Sequence, residues 1–232
     1  MIARVSTSLV CACLALAPTA RAQAMAPAAG GVAAPVMAPV AQAVTASVNG
    51  LTVSALPDQT LGQVARFSGN APAGRVVRLQ RLDPRTRRWR GLTSARADAS
   101  GAYVARWRPD HIGPAALRAI LHTTAAALNV TVYKPALATW YGPGFFGKQT
   151  ACGMALTPDI QGLAHRTLPC GAQVAITYGG RSIVLPVIDR GPYGVTGAEW
   201  DLTQAAALTL GITTTTQLGA VRLRTQPSAA SM

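Results

Sequence analysis

The side chains able to move protons are few in this 232-residue chain, and several gather toward its C-terminal end: Asp159, His165, Asp189, Glu199 and Asp201. The same stretch holds seven of the twelve aromatic residues, Trp140, Tyr141, Phe145, Phe146, Tyr178, Tyr193 and Trp200, in a protein that is only 5% aromatic. Carboxyl groups beside a cleft do general acid/base work, and flat rings stack on sugar faces while polar groups bind the hydroxyls. A small barrel that needs large side chains to fill its core would show the same concentration, so both readings stay open at this point. No CxxC or HxxxH spacing accompanies these residues, so neither a metal nor another cofactor is expected.

Short elements must position them. Gln173 to Tyr178 and Arg181 to Ile188 flank Gly179-Gly180, a tight-hairpin signal. Thr203 to Leu210 reads as a helix with Asp201 as N-cap, Gln204 at the capping-box position and Gly211 as its stop. With a closing strand over Gly219 to Arg224, residues 136–225 read as a small β-barrel with one helix, and residues 226–232 as a disordered tail.

Upstream, residues 44–134 show seven short alternating segments: Leu51 to Leu56, Gln63 to Ser68, Arg75 to Leu82, Arg88 to Arg96, Ala102 to Trp107, Ala115 to Leu121 and Leu128 to Tyr133. Turns are expected at Asp58, Gly69-Asn70, Asp83-Pro84, Ser100-Gly101 and Gly113-Pro114. Such spacing predicts an immunoglobulin-like β-sandwich, joined to the barrel through Lys134-Pro135. The fold class is thus mainly β. Before the sandwich, residues 23–43 are Ala, Pro, Val and Gly without charge, and read as an extended tether.

Met1 to Arg4 supply a basic residue, Val5 to Ala17 a short apolar run, and Ala20-Arg21-Ala22 a small-residue cleavage site. This is a secretory signal pattern over residues 1–22, and it predicts export to a periplasm, a cell wall or the medium. Val10-Cys11-Ala12-Cys13 keeps a lipoprotein form open. Cleavage after Ala22 leaves Cys152 and Cys170, which in an exported chain are most simply one disulfide worth about 3 kcal/mol, with unlinked buried thiols as the alternative.

The formal charge of +13 is carried by arginine, 19 of the 21 basic residues, and falls to +11 once Arg4 and Arg21 leave with the signal. Twelve arginines lie between Arg66 and Arg118, and Arg85, Arg87, Arg88 and Arg90 cluster at one hairpin. A solvated arginine-rich surface and a patch facing anionic wall polymers both fit. Nucleic acid is not expected as a partner, since no recognition helix, zinc finger or ribonucleoprotein motif is present. His111 and His122 stand alone, and beyond the N-terminus no 18-residue apolar run is long enough to span a membrane.

Several motifs in order carry a resemblance: Ala138-Thr139-Trp140-Tyr141-Gly142 through Gly147, Thr150-Ala151-Cys152-Gly153, Ala164-His165-Arg166-Thr167-Leu168-Pro169, Val187-Ile188-Asp189-Arg190-Gly191-Pro192-Tyr193 and Asp201-Leu202-Thr203. Together they resemble the rare lipoprotein A (RlpA) family. The resemblance implies a six-stranded double-psi β-barrel and lytic transglycosylase activity on peptidoglycan glycan strands. Cys152 and Cys170 resemble the disulfide pair of a secreted subgroup. The sandwich lies outside it.

By position, the resemblance implies Asp189 as the acid/base and His165 as its support. Tyr141 and Tyr193 are then candidate sugar platforms, with Thr150 and Arg190 as further substrate contacts. One departure matters: where the family carries a catalytic Glu after Thr-Ala-Xaa-Gly, this chain has Met154, which can neither give nor take a proton. Lytic transglycosylation ends with attack by the substrate's own C6 hydroxyl, so one carboxyl can serve as acid and then as base. A non-catalytic glycan-binding module and an expansin-like loosening protein are the alternatives that Met154 leaves standing.

Overall fold

A computed structural model describes residues 36–224; the expected signal peptide, most of the expected tether and the expected C-terminal tail lie outside the described residues. The chain forms β1 (Val44–Val48), β2 (Leu51–Ala55), β3 (Asp58–Thr60), β4 (Ala65–Asn70), β5 (Val76–Leu82), β6 (Trp89–Arg96), β7 (Ala102–Trp107), β8 (Gly113–Leu121) and β9 (Thr124–Tyr141). It continues through β10 (Leu163–Ala164), β11 (Gln173–Tyr178), β12 (Arg181–Asp189), β13 (Ala198–Thr203), α1 (Gln204–Leu210) and β14 (Thr216–Arg222).

In the N-terminal part, β1-β2-β4-β7 form one sheet, and β6-β5-β8 continue onto the first half of β9 in another. Period-two alternation decides which side chains meet between them. Leu51, Val53, Phe67, Val77, Leu79, Leu117, Val130 and Val132 turn inward into one apolar core, where the Phe67 and Trp107 rings lie 6.2 Å apart. Many inward positions are alanine, which lets the sheets approach closely. Within the first sheet Gly69 lets β4 approach β2, because a Cβ there would fall 2.0 Å from the Thr52 carbonyl oxygen.

The expected strands are present, with differences at their ends. Gly69-Asn70, read as a turn, finishes β4, and Gly113-Pro114 opens β8. β1 and β3 escaped the sequence reading: β1 pairs with β2 across Asn49-Gly50, both at positive φ, and β3 pairs in parallel with β9. The expected tether also behaves differently over its last residues. The Ala38 amide donates to the Thr209 carbonyl, the Ala41 amide to Gly180, and Val40 bridges Arg181, so this segment lies against the C-terminal part.

That C-terminal part is a closed ring of six strands in the order β9-β14-β11-β12-β10-β13, with β13 returning to β9. The β9–β13 and β10–β12 pairs are parallel and the others antiparallel. Leu163, Val174, Ile176, Leu185, Val187, Leu202 and Leu218 fill it, and α1 covers it with Ala206, Ala207 and Leu210. Gly179 and Gly180, both at positive φ, make the β11–β12 hairpin as expected.

The helix begins later than the sequence suggested. Thr203 is its N-cap, accepting from the Ala206 amide at 3.4 Å, whereas Asp201 lies within β13. The reason is the Ala198, Trp200, Leu202 alternation, which buries those residues in a strand before helical periodicity can start. Gly211 ends α1 in the left-handed conformation.

No joint interrupts the chain at Lys134-Pro135. β9 runs 18 residues from one core to the other, with Pro135 paired to Gly219 and giving up only its own donor. Where the parts abut, Asp58 accepts hydrogen bonds from Ser182 and Thr177. Gly219 is required there, since a Cβ would meet the Tyr133 Cβ at 2.8 Å and the Thr177 methyl at 2.6 Å.

Candidate functional site

At one end of the barrel the pairing brings the polar candidates together. Ala164 lies opposite Asp189 on β12 and Asp201 on β13, Asp201 lies opposite Thr139 on β9, and Thr203 opposite Tyr141. Leu163, Val187 and Leu202 point into the core, which leaves Asp201 and Thr139 on the other face of their strands. The connection from Gly142 to Gly162 lies beside that end, and the Cys152–Cys170 disulfide, with Cα atoms 5.7 Å apart, ties it to the β10–β11 loop.

Asp189 is half-buried and holds this connection as well. Its Oδ1 accepts the amide hydrogens of Ala151 and Arg190, both at 2.8 Å. The Cys152 amide donates to the Ile188 carbonyl at 3.3 Å, so a turn over residues 150–154 docks on the end of β12. Inside that turn the Thr150 hydroxyl accepts from the Met154 amide at 3.2 Å. Thr150 is therefore buried and shapes the turn, while Met154 projects from it, 41% exposed.

Two other groups sit with Asp189. Asp201 accepts from the Thr139 hydroxyl at 2.6 Å. Burial raises its pKa above the ordinary carboxylate value and the neighbouring Asp189 charge adds to this, with Thr139 opposing. The Tyr141 hydroxyl is buried without a hydrogen-bond partner; its pKa is pushed well up, first by burial and then by the charges of Asp189 and Asp201. An unpartnered hydroxyl beside two carboxyl groups is where a ligand hydroxyl or a proton in transit would be accommodated.

His165 is near the carboxyls but bonded elsewhere. Its Nδ1 accepts the amide hydrogens of Thr167 and Leu168, both at 3.1 Å, which assigns the neutral ring's proton to Nε2. The ring lies 4.6 Å from that of Trp200, and burial lowers its pKa, with Glu199 acting in the opposite sense and Arg166 and Arg190 adding to it. Its contact with Asp189 is through the backbone, the His165 amide donating to the Asp189 carbonyl at 3.2 Å.

The aromatic residues divide by role. Trp200 is buried, Tyr178 packs against the barrel core, and Trp140 does so too while donating to the Thr213 carbonyl at 3.1 Å. Tyr193, 75% exposed, and Phe145, 53% exposed, present rings to solvent. Tyr141 is half-buried, meeting Phe145 edge-on with centroids 6.1 Å apart. Arg190 folds back over its own chain, donating to the Asp189 carbonyl at 3.2 Å and reaching Cys170 Sγ at 3.5 Å. Glu199 pairs with Lys134 at 2.8 Å, and Asp159 lies exposed on the loop.

Sequence reasoning missed Asp201 and Thr139 as members of this cluster. The signal was available in the alternation of Trp200 and Leu202, which puts an acid on the opposite face of a buried strand. Among the described residues, no group of three His, Cys, Asp or Glu side chains is placed to hold a metal ion.

Comparison with known proteins places the same region. A family model described as lytic transglycolase matches residues 134–224. A probable endolytic peptidoglycan transglycosylase RlpA of Synechocystis sp. is 42% identical over 102 residues, covering 43% of this chain and 32% of the relative. One of Aquifex aeolicus is 43% identical over 77 residues, covering 32% of this chain and 34% of the relative. The endolytic peptidoglycan transglycosylase RlpA of Campylobacter jejuni is 38% identical over 73 residues, 31% of this chain and 26% of the relative. The matched stretch thus spans about a third or less of the curated relatives' length.

Proposed function

Because residues 134–224 belong to the RlpA-like double-psi β-barrel family, we propose that this protein cleaves peptidoglycan glycan strands by lytic transglycosylation. The observation that carries the reading is the cluster of Asp189, Asp201 and the unpartnered Tyr141 hydroxyl at one end of the barrel. Asp201, whose raised pKa keeps its proton to higher pH, protonates the glycosidic oxygen as the C1–O bond breaks. Asp189, fixed through Oδ1 by two amides, takes the proton from the C6 hydroxyl as that oxygen attacks C1 and closes a 1,6-anhydro ring. The proton returns from Asp189 to Asp201 through the Tyr141 hydroxyl, which leaves both carboxyls ready for another turnover.

Tyr193 and Phe145 offer the exposed rings against which sugars stack, and His165 positions Asp189 through the backbone. This division of work does not need the family's Glu at position 154. The N-terminal unit is read as an immunoglobulin-like sandwich whose arginines meet an anionic wall polymer, and residues 1–22 as the export signal. Among the described residues no helix is long and apolar enough to cross a membrane.

The test is incubation of the full chain with denuded and with intact peptidoglycan, followed by mass spectrometry for 1,6-anhydro-muramyl products. Their formation from the denuded substrate supports the reading. Retained binding to sacculi with no such product would instead identify a glycan-binding module.

A further inference from the structure

The outer face of the β6-β5-β8 sheet carries Arg78, Arg96 and Arg118. Val77 and Leu79 turn into the sandwich core, so Val76, Arg78 and Gln80 point outward from β5. Register places Arg78 between Ser94 of β6 and Ile120 of β8, Gln80 between Gly91 and Arg118, and Val76 opposite Arg96. The guanidinium groups therefore line one face in order along the strand direction.

Each end of this face is hollowed. One depression, about 400 Å³, is lined by Arg75, Arg78, Arg96, Gln80, Ile120 and His122. The other, about 510 Å³, is lined by Thr86, Arg88, Trp89 and Arg90. Arg118 connects them, its guanidinium 4.2 Å above the Trp89 ring and its Nε donating to Gln80 at 2.8 Å. Between the ends, β5 extends for roughly 20 Å, the length of a few sugar units.

The electrostatics are one-sided. Among the described residues, Arg75, Arg78, Arg96 and Arg118 form no ion pair with a carboxylate; Arg90, at the second depression, does, with Asp83 at 2.8 Å. Arg75 is held by His122 Nε2, and Arg96 by the Gly74 carbonyl at 2.6 Å, contacts that orient the guanidinium groups without neutralising them. Arginine forks bind planar carboxylates through paired hydrogen bonds, and no lysine occurs on these strands.

We infer that this face is a groove for a linear carbohydrate polymer bearing carboxylates, gripped by Arg78, Arg96 and Arg118, the last held in place by Trp89 beneath it and by Gln80. The proposal rests on the reading that the arginine-rich unit meets an anionic polymer, and names where and through which chemistry. It is independent of the barrel reaction. A polysaccharide fits better than a nucleic acid because successive bases need a series of open rings, whereas Trp89 is the one ring on this face and Arg118 covers it.

Affinity electrophoresis of the full chain in gels containing polygalacturonate, with neutral dextran as the control matrix, tests this. Wild type is expected to be retarded by polygalacturonate alone. The Arg78→Glu, Arg96→Glu double variant should bind at least about tenfold more weakly. Arg66→Glu, Arg106→Glu, which makes the same charge change on the facing strands β4 and β7, should bind like wild type. Circular dichroism melting establishes that each variant folds.

Equal weakening by both double variants would overturn the groove while leaving a general attraction to polyanions. Single-stranded DNA displacing the protein more effectively than soluble polygalacturonate at equal charge would overturn the choice of polymer. Absence of retardation in wild type would overturn both the groove and the broader reading of the sandwich, without touching product formation by the barrel.

Discussion

Aspartates in the two halves of the molecule do opposite things. In the sandwich, Asp83 accepts the amides of Arg85 and Thr86 and pairs with Arg90, Asp98 accepts Ser100 and Ala102, and Asp110 meets His111 and Arg81. All three have pKa values below the ordinary carboxylate value: Asp83 first through the Thr86 amide, Asp98 through the Ser100 hydroxyl, Asp110 through His111. In the barrel, Asp201 is sunk beside a second carboxyl with no cation in contact, and its pKa moves up. A turn acid is exposed and satisfied by local N–H groups. A reactive acid is withdrawn from water and left with a neighbour of its own kind.

The largest effect should come from Asp189→Asn, which removes the proposed proton acceptor yet keeps an oxygen for the Ala151 and Arg190 amides. The rate of 1,6-anhydro product formation should fall roughly 10²- to 10⁴-fold, measured by mass spectrometry of digests. An unchanged rate would erase the functional side of the contrast. Asp201→Asn should cost about 10²-fold in rate, and should separate activity from stability.

The sign for Asp201 follows from its raised pKa. The unfolded chain ionises this group first, so its contribution to stability is complete below the ordinary carboxylate value and is lost as pH rises through the folded value. Asp201→Asn should therefore melt a few degrees higher than wild type at pH 7, the gain disappearing in acid. A lower melting temperature at pH 7 would show that Thr139 stabilises the ionised form more than burial opposes it.

Met154→Glu restores a carboxyl on the exposed turn that Asp189 holds, and should raise the rate about tenfold, within the range of acid–base assistance. No gain would mean that the Asp189–Asp201 pair already supplies the chemistry. The smallest effect belongs to the sandwich. Asp98→Ala should lower the melting temperature by a few degrees through loss of its turn bonds, with the rate unchanged. A slowed reaction would contradict the division between the halves.

Much of this was legible from residue order. Alternation located most strands of the sandwich and three of the six in the ring, Gly179-Gly180 located its hairpin, and the cysteine count pointed to the disulfide. The ordered motifs located the barrel. Asp201 was misplaced because an acid three residues before a glutamine satisfies a capping rule as well as a strand pattern; the Trp200 and Leu202 alternation favours the strand, and pairing with β9 and β10 fixes it. β3, three residues long, and β10, two residues long, owe their existence to partners distant in sequence, which no local pattern records. The outward register of Arg78, Arg96 and Arg118 likewise depends on which strands become neighbours.

The 18-residue β9 has a practical consequence for anyone dividing this protein. A cut at Lys134-Pro135, where composition suggests a seam, would fall between the β8–β9 ladder, which ends at Val132, and the β9–β14 ladder, which starts at Lys134, so most pairings survive while the covalent link between the two cores is lost. The strand behaves as a shared beam, one unbroken run of backbone that belongs to the arginine-bearing sheet at its start and to the ring with the carboxyl cluster at its end.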